Sequence, residues 1–176
     1  MSHSLHLAVA EEVRQRLDSR FELVRDPACG GKHHLPLFVG EHKARDTRMC
    51  CVDLMVLQSG KVRAIVEIEE SGFLPTKICG KFLQATLATH FIHYSRSEGV
   101  IPYADKVLFI QVLDGSRCLK PSTRKDSQAK LIEKQIRGIL PLYGITQYQL
   151  VFVAGKNDKQ GLASVGEAIA SQIFII

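Results

Sequence analysis

Apolar residues recur every four positions at Leu5, Val9, Val13 and Leu17, with Glu11, Glu12, Arg14 and Arg16 between them. That spacing predicts an amphipathic helix over residues 5–20. A short strand is predicted at 21–24, ended by Asp26-Pro27 and Gly30-Gly31, and another at 35–39. Residues 40–48 are polar and read as a loop. The run 49–57 is nearly all apolar, and Ser59-Gly60 turns it into a second run at 61–69, so the pair reads as an antiparallel hairpin. Ser71-Gly72 breaks the pattern. Pro75 then sits in the first turn of a long helix over 74–93, with Ile78, Phe82, Leu83, Leu87, Phe91 and Ile92 facing the core and Gly99 and Pro102 closing it. Residues 106–113 are apolar enough for a central buried strand. A basic helix over 124–139, a strand over 148–153 and a last helix over 161–173 complete the chain.

With the short run at 35–39 set aside, the order is helix, three strands, helix, strand, helix, strand, helix. Strand-helix-strand steps demand crossover connections, which predicts an α/β fold: a three-layer α/β/α sandwich with a mixed central sheet. No repeat, low-complexity tract or linker interrupts the pattern, so residues 1–176 read as a single domain.

Composition narrows the class. The chain is 45% hydrophobic and 23% charged, ordinary for a globular protein able to bury its own core. No apolar run approaches a membrane span, and the first residues lack the basic start and apolar core of a signal peptide. The expectation is a cytoplasmic protein with no membrane partner. Five cysteines, odd in number and without a C-x-x-C pair, read as free thiols in a reducing compartment. Cys29 with His33 and His34 reads as a turn rather than a ligand set. The net charge of +5 suits a polyanionic partner. Arg117, Lys120, Arg124, Lys125, Lys130, Lys134 and Arg137 are opposed within their stretch only by Asp126 and Glu133. Both a solvated helix face and a phosphate-binding surface fit them.

The candidate chemistry lies in Glu67-Ile68-Glu69 and in Asp53, fourteen positions before Glu67. Alternate strand residues share a face, so Glu67 and Glu69 stand side by side on an apolar strand. Mutual repulsion and burial both penalise their charge. A hard divalent cation, Mg²⁺ or Mn²⁺, would relieve both penalties, with Asp53 as a third ligand. The competing arrangement puts both glutamates on the wet face of an edge strand, paired with Arg63 or Lys61.

Asp53 near the start of the second main strand, Glu67 and Glu69 on the third, and the helix–meander–helix–strand order together resemble the restriction-endonuclease-like PD-(D/E)xK nuclease superfamily. The resemblance covers residues 5–113. Asp53 matches the motif Asp, Glu67 the first acidic residue of the tripeptide, and Glu69 its last position. Val52 stands where the motif Pro would be, and Glu69 stands where the motif Lys would be. The resemblance implies a restriction-endonuclease-like core and Mg²⁺-dependent hydrolysis of DNA phosphodiesters. Asp53 and Glu67 would hold the metal, with the Ile68 carbonyl as a further ligand. Glu69 would act as general base or hold a second metal. Positive charge would come from Lys81 or Lys77 on the following helix, with Gln84 and Glu12 as accessory residues. Lys32, Arg45, Arg48, Arg124 and Lys125 would contact the phosphates of double-stranded DNA. Cleavage of both strands implies a homodimer.

The competing function is a catalytically inactive nuclease-like fold serving as a nucleic-acid-binding or protein-interaction module. An α/β enzyme of unrelated chemistry lacks its motifs here: no P-loop, no G-x-G-x-x-G and no G-x-S-x-G is present.

Overall fold

In the computed structural model, residues 3–70, 74–93, 99–116 and 124–173 are described. Helix α1 (Ser4–Arg16) leads into β1 (Glu22–Arg25), a single 3-10 turn (Pro27–Cys29), β2 (Leu35–Phe38), β3 (Arg48–Val52), β4 (Leu54–Gln58) and β5 (Lys61–Glu69). Helix α2 (Pro75–Leu87), β6 (His90–Ile92), β7 (Val100–Asp114), α3 (Lys125–Gly138), β8 (Ile145–Val153) and α4 (Lys159–Ile173) follow. The eight strands form one mixed sheet. Its main ladder runs β1-β4-β5-β7-β8, antiparallel through the meander and parallel from β5 onward. The crossover from β5 to β7 carries α2 and the one from β7 to β8 carries α3, as parallel neighbours require.

The four helices pack on the two faces of this sheet, giving an α/β sandwich. One face meets α1 and α4 through Val9, Val13, Val66, Ile110, Val165 and Ile169. The other meets α2 and α3 through Ile65, Phe82, Phe109, Ile136 and Tyr148. Among the described residues, no helix is long and apolar enough to cross a membrane.

Several expectations need correction, among them Leu83 and Leu87, expected to face the core but exposed, and the last strand, which begins at Ile145 rather than at 148. The run 49–57 is not one strand. It splits at Asp53 into β3, which pairs with β2, and β4, which pairs with β1 and β5. Apolar patterning cannot register a change of partner, because both halves are buried. The helix expected to reach residue 93 stops at Leu87. Ala88 turns extended, and Phe91 and Ile92 enter β6 between β2 and β7. Their aromatic and β-branched side chains suit a strand better than a helix end. Pro102 closes no helix; it lies in β7 opposite His90, so β7 begins at Val100 rather than at 106. Helix α1 ends at Arg16, with Leu17 already extended. Ser71, Gly72, Arg117, Cys118 and Lys120 lie outside the described residues.

Candidate functional site: a carboxyl pair and a lysine at the end of β5

The β4–β5 hairpin sets the site. Its turn residues Ser59 and Gly60 both have positive φ, 51° and 71°, the two-residue turn that matches strand twist. Next to the turn, Gln58 faces Lys61 and Leu57 faces Val62. The register then slips by one, with Arg63 the extra residue, so that Val56 faces Ala64 and Leu54 faces Val66. One step further, this register puts Asp53 opposite Glu67.

Asp53 sits in the break between β3 and β4. Its backbone carbonyl accepts a hydrogen bond of 2.9 Å from Asp26 N–H. Its Oδ2 accepts one of 2.7 Å from Ile68 N–H. Glu67 is only 3% exposed, so the wet-edge arrangement with Lys61 or Arg63 does not hold. From α2, Lys81 Nζ donates to Glu67 Oε2 at 2.6 Å, and Lys77 Nζ lies 3.6 Å from Glu69 Oε2. Lysines four apart on a helix thus meet glutamates two apart on a strand, each periodicity keeping its pair on one face.

Burial pushes the Glu67 carboxyl up to about 8; Lys81 opposes this, and the adjacent Asp53 carboxyl, within hydrogen-bonding reach, adds to it. Burial also raises Asp53, against the Ile68 N–H, Lys81 and His6. Lys81 loses affinity for its proton through burial, but Glu67, Asp53 and Glu69 outweigh that and raise it. These directions describe one charge state. Two raised carboxyls beside one raised ammonium favour a state with less than two full negative charges on the pair. A divalent cation can take the place of a proton there, and the all-oxygen pair fits a hard ion such as Mg²⁺ or Mn²⁺.

The expected third carboxylate does not close on this pair. Among the described residues, the groups of three or more His, Cys, Asp or Glu close enough to share an ion reduce to His3, His6 and Glu70. Glu69 instead faces Lys77, one strand repeat along. Glu12 is also placed elsewhere. It pairs with Arg16 at 3.0 Å, and its Oε1 stands against Gly166 of α4. Gln84 is exposed and continues the Lys77–Lys81 stripe away from the strand end.

Two residues went unnoticed in the sequence. His6 is 8% exposed, with Nε2 3.8 Å from Asp53 Oδ1 and Nδ1 3.0 Å from Glu70 Oε1. A polar residue three positions from Val9, on the apolar stripe of α1, was the available signal. Glu70 Oε1 also accepts from the backbone N–H groups of Leu5 and His6, so it caps α1 from outside the helix. Burial raises Glu70, but the His6 ring and these N–H groups outweigh it and hold it low. Cys50 lies on the other flank, pushed up to about 12 by burial and by Glu67, which excludes a ready thiolate nucleophile.

The basic residues fall into two groups. Lys32, Lys43 and Arg48 line an open cleft of about 440 Å³ with His33, His34, Cys51 and Pro27, and Arg45 borders its continuation. Pro27, on the cleft wall, follows Asp26, whose backbone N–H donates to the Asp53 carbonyl. Arg124 and Lys125 begin α3, whose Ala129 packs on Ile78 of α2 and Leu113 of β7, at the strand end that carries Glu69. No family model, no curated protein and no solved structure matches the chain.

Proposed function

We propose that this protein is a metal-dependent nuclease of the restriction-endonuclease-like type, hydrolysing phosphodiesters of double-stranded DNA. The observation that carries the reading is the contact of Lys81 with the Asp53–Glu67 pair. Glu69 stands where such a nuclease would carry its lysine, and α2 supplies an ammonium at that place. The helix, interrupted meander, helix and parallel strand give further support, as does the carboxyl pair's position at a carboxyl end of parallel strands, where α/β sheets bind ligands.

Asp53 and Glu67 would hold Mg²⁺ or Mn²⁺. A bound divalent ion supplies an acidified water and offsets charge on phosphoryl oxygens. Lys81 neutralises the carboxyl pair and stands ready to offset phosphate charge. Glu69, outside the pair but on its face, would accept a proton from water. Lys32, Arg45 and Arg48 would position the phosphate backbone along the cleft. Two copies related by a two-fold axis would cut both strands.

One observation favours the inactive module instead. Lys81 already occupies Glu67 Oε2, and the Ile68 N–H already occupies Asp53 Oδ2. In that reading the ammonium replaces the metal, and the cleft alone binds nucleic acid.

A Mn²⁺ titration followed by thermal unfolding, with a plasmid-cleavage assay, separates the two. For the nuclease, saturation at a hundred times Kd stabilises wild type by about 2.7 kcal/mol. That gain and the cleavage disappear in Asp53→Asn and Glu67→Gln. No metal response in wild type, with both variants folded and DNA still bound, would leave the inactive module.

A further inference from the structure

At the foot of α1, His3, His6 and Glu70 each present a ligand atom, and these atoms all lie within 4.8 Å of one another. We infer that this cluster is a second cation site, selective for a transition metal of the zinc class and distinct from the Asp53–Glu67 pair.

Donor chemistry sets the class. Two imidazoles and one carboxylate suit Zn²⁺, Co²⁺ or Ni²⁺, whereas Mg²⁺ prefers oxygen and keeps its waters. Geometry agrees. Tetrahedral bonds of about 2.0–2.1 Å place neighbouring ligand atoms about 3.3–3.4 Å apart, so the widest pair here must close by small side-chain rotations. His6 Nδ1 and Glu70 Oε1 are already 3.0 Å apart. The His3 and His6 rings stand edge-on with centroids 5.3 Å apart.

The surroundings fix two of the ligands and leave the third at the surface. Glu70 is held by the Leu5 and His6 N–H groups, and His6 is buried against Asp53. Such outer bonds orient ligands. His3 is exposed and gives an ion its entry path. A simple capping arrangement accounts for Glu70 and His6 but not for His3, whose side chain makes no capping bond although it occupies the N-cap. The positive end of α1 opposes a cation, but Glu70 lies between them and Asp53 adds negative charge nearby. Three protein ligands leave the fourth tetrahedral position open for water or substrate.

The test uses the full chain without a polyhistidine tag. Zn²⁺ binding is measured by calorimetry, and Co²⁺ binding by its visible absorption. Wild type is expected to bind one equivalent of Zn²⁺ through these residues. His3→Ala, an exposed change that leaves the core intact, weakens that binding by about tenfold or more. Glu70→Gln and His6→Gln weaken it further, and Glu67→Gln leaves it unchanged. The inference is overturned if wild type binds neither ion, or if His3→Ala binds Zn²⁺ as tightly as wild type. Because Glu67 takes no part, this result and the Mn²⁺ result with Glu67→Gln stand or fall separately.

Discussion

The two faces of the sheet are built from different materials. The face under α1 and α4 is mostly aliphatic, with valine, isoleucine, leucine and alanine meeting at Val66, Ile110, Val165 and Ile169, and with Cys29 in the same cluster and His6 buried on α1. The face under α2 and α3 mixes aromatic rings with polar groups. Phe82, Phe109 and Tyr148 pack within 5.3–6.1 Å of one another, beside Glu67, Gln111 and Lys81. Glu67 and Gln111 are neighbours across the parallel ladder, and Tyr148 donates to Gln111 Oε1 at 2.6 Å. A stable sandwich does not require this polar row, because the aliphatic face shows what burial alone selects. Buried polar groups cost free energy unless partnered, and here Glu67 is partnered by Lys81 and Gln111 by Tyr148.

The sharpest break between the faces is in activity. Asp53→Asn and Glu67→Gln should lower Mg²⁺-dependent cleavage about a thousandfold or more, about 4 kcal/mol of barrier. Ile169→Val on the aliphatic face should leave it within about twofold. Single-turnover cleavage of a plasmid measures both. Stability separates the faces next. Ile169→Ala should cost about 2–5 kcal/mol by opening a cavity, equally at pH 5 and pH 8. Lys81→Met should raise the Glu67 carboxyl further and cost up to about 1 kcal/mol more at pH 8, where part of wild-type Glu67 is ionised, than at pH 5. Urea unfolding at the two pH values decides, and a pH-independent cost for Lys81→Met would remove the charge argument.

A smaller effect concerns wild type itself. Glu67 is held above its unfolded value, so between about pH 4.5 and 8 the native state binds more protons than the unfolded chain. Stability contributed by this group therefore falls as pH rises through that window, and Glu67→Gln should flatten the profile. Lys81, also raised above its ordinary value, acts with the same sign in a separate window: its contribution is lost as pH rises into the alkaline range. The smallest effect is in the cleft. Arg45→Ala should reduce the slope of log affinity for DNA against log salt by about one, without changing sequence preference.

Much of this was legible in the chain. Period-two alternation put Glu67 and Glu69 on one face, and Pro75 and the apolar stripe through Ile78 and Phe82 set the helix that brings Lys77 and Lys81 over them. Glu12 misled because helix phase alone does not say which neighbour a helix face meets; α4, far along the chain, claims it. His6 and Glu70 escaped because their contact joins residues 64 apart.

Local patterning determined the helices, the hairpin turn and the α/β class, since each follows from interactions between near neighbours. Tertiary structure decided the register. An unbroken hairpin from Ser59-Gly60 would place Asp53 opposite Val66 and Glu67 opposite Val52. The single extra residue at Arg63 moves Asp53 opposite Glu67 instead. A one-residue slip flips which face each side chain joins, and only packing both faces of the sheet fixes which register has the lower free energy.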